Sequence, residues 1–118
     1  MATDRNDAET LYRRWIGEVW AGEPIPADLV SDDFVGHWPD RDVHGRDGLA
    51  AIIDQTRKMF DHLRFEVVVG PLSDGELLAG RWRGTGSQPT GQVGFTGNDI
   101  LRIRDGRVVE YWTGTSAG

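Results

Sequence analysis

From residue 64 to residue 114 the sequence alternates apolar and polar residues in four runs: RFEVVVG, ELLAGRWRGTGS, QVGFTGNDILRIR and RVVEYWTG. They are separated by turn signals at Ser73-Asp74-Gly75, Pro89-Thr90-Gly91 and Asp105-Gly106. A period of two marks a half-buried strand, and strands joined by loops this short run antiparallel. Such a meander has one apolar face, and that face must be covered by whatever precedes it.

What precedes it is helical. Between Asp7 and Ala21 the residues Ala8, Leu11, Tyr12, Trp15, Ile16, Val19 and Trp20 recur at helical spacing, with charged residues between them. Gly22, Pro24 and Pro26 stop this helix. The segment ADLVS is compatible with one further helical turn, and DFVGHW resembles a short strand. A second helix is expected over 46–61, with Leu49, Ile52, Ile53, Thr56, Met59 and Phe60 along one side. Helices followed by a meander predict an α+β fold, organised as a single domain over 1–118.

The overall balance of residues narrows the partners. The chain has 118 residues, 38% of them hydrophobic, and a net charge of −6 without any basic run, which disfavours nucleic acid. A small molecule is the more natural ligand. Cysteine is absent, so disulfides, thiolate metal sites and cysteine nucleophiles are excluded. The opening MATDRNDAET lacks the apolar core of a signal peptide and no later run has membrane-spanning length, so a cytoplasmic protein is expected. Asp32, Asp33, His37, Asp40, Asp42 and His44 crowd one segment, but without a metal-ligand spacing; no metal and no cofactor are expected.

The last hairpin contains a chemical oddity. Asp99 alternates with Phe95, Gly97, Leu101 and Ile103 on what should be the covered face of its strand. An inward carboxylate is costly unless paired or hydrogen-bonded. If Asp105-Gly106 forms a two-residue type I′ turn, Asp99 faces Trp112 and the same face carries Val108, Glu110 and Trp112. Glu110 is then a diagonal neighbour, close enough for the two carboxylates to raise one another's pKa. A bulge at Gly106 would shift the register and put Tyr111 there instead. Trp82 should also point inward, and the glycines at 80, 84, 86, 94 and 97 leave space beside the large rings, which suggests a cavity.

The segments LVSDDFVGHW, HGRDGLAAII, FDHLRFEV, GRWRGTG and FTGNDILRIRDGRVVEYW together resemble the SnoaL-like polyketide cyclases of the NTF2-like superfamily across nearly the whole chain. The resemblance implies a cone-shaped fold, with a curved antiparallel sheet wrapped against N-terminal helices around an apolar pocket, commonly as a homodimer. It also implies ring closure by intramolecular aldol condensation without metal or cofactor, with an aspartate as general acid/base. In the pattern G-x-D-I-x-R-x-x-D-G-R that aspartate falls on Asp99. His37, in DFVGHWP, matches a histidine common in the family and becomes a second catalytic candidate. Where many relatives carry a histidine in G-T-H-T-G, this sequence reads GTGSQPTG and places Gln88 nearby. In the related limonene-epoxide hydrolases the last acid of an Asp-Arg-Asp set would fall near Ser116, which argues against that mechanism here.

Trp20, Trp38, Trp82, Gln88, Glu110 and Trp112 are the expected substrate-binding residues, since rings and a few polar groups are what an apolar pocket needs. The five tryptophans equally suit a core, and two or three are expected at the pocket. Arg81, Arg83, Arg102 and Arg104 form an outward basic stripe. Ile100, Val109 and Tyr111 on that same outer face suggest homodimerisation through the sheet. The leading functional reading is a cofactor-free acid/base catalyst on a small or medium carbonyl compound. The alternatives are a non-catalytic binding protein for an apolar metabolite, favoured if the pocket acid is hydrogen-bonded and inaccessible, and an NTF2-like isomerase or epoxide hydrolase.

Overall fold

A computed structural model describes residues 5–117, with side chains placed for 7–116. The first helix, α1 (Arg5–Arg14), continues directly into a π-helical turn, Trp15–Val19. Trp15 and Trp20 explain the widening. Five residues along an α-helix carry a side chain about 140° around the axis, which would turn one of these indoles to solvent. The wider turn, closed by Trp20 N–H donating to the Trp15 carbonyl at 3.2 Å, keeps both rings buried.

Two short strands follow, β1 (Val30–Trp38) and β2 (Arg41–His44). The first is longer than DFVGHW alone, and the second was not anticipated; it turns back on β1 at Pro39-Asp40, pairing Trp38 with Arg41. The next helix, α2 (Gly45–Arg57), ends four residues before the expected Asp61. Backbone bonds Met59 to Thr56 and Phe60 to Arg57 tighten its last turn and release Phe60 toward the sheet. The meander then runs as expected through β3 (Asp61–Ser73), β4 (Leu77–Gln88), β5 (Gly91–Arg104) and β6 (Arg107–Ala117).

The six strands form one sheet in the order β2-β1-β6-β5-β4-β3. It is mixed and not wholly antiparallel, because β1 pairs with β6 in parallel. No hairpin joins those two strands, so no turn dictates their relative direction. Tyr12, Trp15 and Val19 from the helical segment pack with Leu49 and Ile53 of α2 and with Phe34, Leu78, Leu101 and Tyr111 of the sheet in one continuous cluster. No helix among the described residues is long and apolar enough to cross a membrane.

Hairpin register resolves one sequence ambiguity in an unforeseen way. Asp105 and Gly106 both have positive φ, 54° and 75°, as a type I′ turn requires, and Arg104 faces Arg107 and Ile103 faces Val108. The ladder then slips: Arg102 pairs with Glu110, Leu101 with Tyr111 and Asp99 with Thr113. Val109 is the extra residue, a bulge within β6 and not at Gly106. Because strand sides alternate, the slip turns Tyr111 and Thr113 inward and puts Glu110 and Trp112 outside.

Candidate functional site

The covered face of the sheet and α2 enclose a cavity of about 510 Å³. Its walls are aromatic. Trp20, delivered by the π-helical turn, lies 5.9 Å from Phe65, which meets Trp82 edge-on at 5.2 Å, and Trp82 in turn meets Phe95 at 5.6 Å. Phe60 stacks on Phe95, while Trp38 bridges Trp20 and Tyr111. Ile52, Gln55 and Thr56 of α2 close one side, and Gln88, Thr113, Thr115 and Ser116 supply polar groups. Of the expected binding residues, Trp20, Trp38, Trp82 and Gln88 thus line the cavity. Gln88 also donates to the Met59 carbonyl at 3.3 Å, which ties β4 to the end of α2.

The strand glycines work differently from expectation. Rings fill most of the space they leave: a Cβ at Gly80 would overlap Tyr12, at Gly84 Phe95, at Gly86 Phe60 and at Gly97 the indole of Trp82. The glycines let large rings lie flat on the sheet, and the cavity opens above those rings. Gly94 is the exception, facing the cavity with only the Gly84 carbonyl near.

Asp99 sits behind this aromatic floor, 1% exposed. Its Oδ1 accepts hydrogen bonds from Tyr111 Oη at 2.7 Å, Trp82 Nε1 at 3.0 Å and Thr113 Oγ1 at 3.0 Å. Its Oδ2 accepts one from Tyr12 Oη at 3.0 Å. Burial pushes the carboxyl above the ordinary aspartate range, and the donated hydrogen bonds, Tyr111's foremost, oppose that shift without cancelling it. Burial and the neighbouring carboxylate likewise push the Tyr12 and Tyr111 phenols upward, so both remain neutral donors. Three of the four partners, Trp82, Tyr111 and Thr113, also line the cavity, whereas Asp99 itself does not. Tyr12, Tyr111 and Thr113 were not singled out as site residues. Only the alternative register hinted at Tyr111, and nothing in the spacing linked Tyr12 to a residue 87 positions away.

His37, Glu110 and Trp112 lie elsewhere. On β1 the inward positions are Phe34, Gly36 and Trp38, so His37 points to the opposite face. There its Nε2 meets Glu110 at 2.7 Å, its Nδ1 meets Asp42 at 2.8 Å, and its ring stacks on Trp112 at 5.4 Å. Arg102 joins the cluster through Glu110 and Glu76. Hydrogen bonds to Glu110 and Asp42 raise the imidazole's pKa, and the His37 bond holds the Glu110 carboxyl below its usual range. The expected coupling of Glu110 with Asp99 is therefore corrected: the Val109 bulge places the two acids on opposite faces. The acid-rich segment also disperses, with Asp32 paired to Arg46 and Asp40 to Arg41. Among the described residues no three His, Asp or Glu side chains gather as a metal site.

A sequence profile of the SnoaL-like domain matches residues 12–111. The chain belongs to the SnoaL-like family. Its fold is NTF2-like, and solved SnoaL-like structures superpose on most of it. A proposed SnoaL-like polyketide cyclase from Jannaschia sp. CCS1 is 19% identical with a TM-score of 0.81, covering 95% of this chain and 87% of its own. IdmH, a proposed polyketide cyclase from Streptomyces antibioticus, is 24% identical with a TM-score of 0.80 over 92% and 91%. An NTF2-like protein of unknown function from Exiguobacterium sp. 255-15 is 18% identical, with a TM-score of 0.71 over 90% and 98%. No curated protein sequence matches. At these identities the neighbours establish the fold, and a shared fold does not carry a reaction with it.

Proposed function

We propose that this SnoaL-like protein is a cytoplasmic, homodimeric, cofactor-free acid/base catalyst, with Asp99 as the group that stores the proton. Its substrate is a small or medium, largely apolar carbonyl compound. The observation that carries the reading is the placement of a buried carboxyl directly behind the floor of an aromatic cavity, joined to it by the Tyr111 and Thr113 hydroxyls. Burial brings the carboxyl nearer to a neutral working pH, where a general base is most effective. Since Asp99 does not reach the cavity, its proton passes through a wall hydroxyl. As that hydroxyl takes a proton from the substrate, it gives its own to Asp99, leaving a neutral carboxyl and an enolate. Attack of the enolate on a second carbonyl of the same molecule forms the carbon–carbon bond, and the stored proton returns by the same route to the new alkoxide. The neighbours named as polyketide cyclases support this type of chemistry.

The saturation of Asp99 by four donors favours a second reading, a pocket that holds an apolar metabolite without transforming it. Deuterium exchange at the α-carbon of 2-tetralone, followed by NMR in D₂O, separates the two. Catalysis predicts exchange faster than buffer and a loss of roughly 10²–10⁴-fold in Asp99→Asn, the usual span for a general base. Binding of the tetralone with no acceleration in the wild type would establish the binding reading instead.

A further inference from the structure

The hydrogens at the cavity floor all point away from the cavity. Trp82 Nε1, Tyr111 Oη and Thr113 Oγ1 each donate to the same oxygen, Asp99 Oδ1. This pattern belongs to the carboxylate form of Asp99, the form ready to receive a relayed proton on Oδ1. Each hydroxyl has one hydrogen and two lone pairs. A wall hydroxyl whose hydrogen is committed to Asp99 presents only acceptor capacity to a ligand. Tyr111 is 1% exposed and has little surface to offer. Thr113 is half-buried and lines the cavity, so its lone pairs are the accessible ones.

We propose that the floor of the cavity selects ligands bearing a hydrogen-bond donor, an enol or phenol hydroxyl, with Thr113 Oγ1 as its acceptor and Thr113 therefore a specificity-determining residue. The proposal rests on the small-molecule pocket described above and narrows its ligand class. A plain ketone or ether placed at Thr113 brings oxygen against oxygen with no hydrogen between them. An enolised dicarbonyl or a phenol completes a chain from ligand hydroxyl to Thr113 to Asp99.

Calorimetric titration of the full chain with 2-naphthol and with its methyl ether, 2-methoxynaphthalene, tests this without requiring turnover. One hydrogen bond to a polar partner predicts about three- to tenfold tighter binding of the naphthol. Thr113→Val, nearly isosteric, should abolish the preference, and Thr113→Ser, which restores the hydroxyl, should retain it. If Thr113→Val fails to fold, Thr113→Ala makes the same comparison with no added bulk. Equal binding of both ligands to the wild type, or a preference that survives in the valine or alanine variant, overturns the role of Thr113 and leaves the pocket reading intact. Failure of both ligands to bind the wild type overturns both readings, and binding of the ether alone overturns the role of Thr113.

Discussion

Replacing Asp99 by asparagine and by leucine separates the value of its charge from that of its hydrogen bonds. Asparagine keeps an oxygen that can accept from Trp82, Tyr111 and Thr113, but its amide must donate to Tyr12, whose own hydroxyl hydrogen then lacks the partner it has now. That orphan costs about 1–3 kcal/mol, and weakening three charge-assisted bonds to neutral ones costs about 1 kcal/mol each. Against this, removal of a buried charge relieves a penalty of several kcal/mol. The two nearly cancel, so Asp99→Asn should unfold within about 2 kcal/mol of the wild type. Leucine removes the acceptor altogether and orphans all four donors, so Asp99→Leu should lose at least about 4 kcal/mol. Urea denaturation with linear extrapolation reads both values. Adding Tyr12→Phe to Asp99→Asn removes the orphaned hydroxyl and should recover part of any loss. If leucine proves as mild as asparagine, the four-donor network does not hold the carboxyl as described. If asparagine is as damaging as leucine, the charge itself stabilises the fold and hydrogen bonding outweighs burial at the carboxyl.

On the outer face, the raised His37 pKa means that the folded state binds the proton more tightly. The stability it contributes is complete below the ordinary histidine value of 6.5 and is lost as pH rises through the raised value. The thermal midpoint of His37→Gln should therefore fall less than that of the wild type between these two values, and an unchanged slope would disprove the His37–Glu110 pairing. Gly97→Val should drive a methyl-bearing carbon into the Trp82 indole, destabilising by about 1–3 kcal/mol and loosening the Trp82–Asp99 bond; tryptophan fluorescence and urea midpoints report both. Ile100, 44% exposed on the outer sheet face, should be covered in a homodimer, so Ile100→Asp is expected to give monomers by light scattering. A wild type that is monomeric at micromolar concentrations would remove the basis for that expectation.

The legible parts of this fold are those controlled by local periodicity. Leu101 and Ile103 alternate with arginines, so their face was readable, and Asp99 followed from its place among them. Asp105-Gly106 named its own turn, because two residues at positive φ demand such chemistry. The Val109 bulge had no comparable marker. Valine is an ordinary strand residue, and the slip is decided by tertiary packing: it buries Tyr111 against Trp15, 4.8 Å away, and against Trp38 at 5.3 Å. The short strand β2 and the parallel pairing of β1 with β6 were equally hidden, since both depend on contacts between segments distant in sequence. Three of the five tryptophans reached the cavity, as their number suggested; which three depended on the π-helical turn and on strand parity.

The bulge also determines the chemistry available at Asp99. Without it Glu110 would share the inner face, and two carboxylates there would raise one another's pKa, a coupled pair suited to passing a proton between acids. With it, Glu110 is held outside by His37 and Arg102, and Asp99 is surrounded by neutral donors: two phenols, an indole and a hydroxyl. Its pKa is then governed chiefly by burial against hydrogen bonding. A proton can leave such a site only toward a group already bonded to it. In the proposed mechanism the cavity-lining hydroxyls both support the buried acid and connect it to a ligand, so substitutions at Thr113 should change ligand preference and substitutions at Asp99 should change proton transfer.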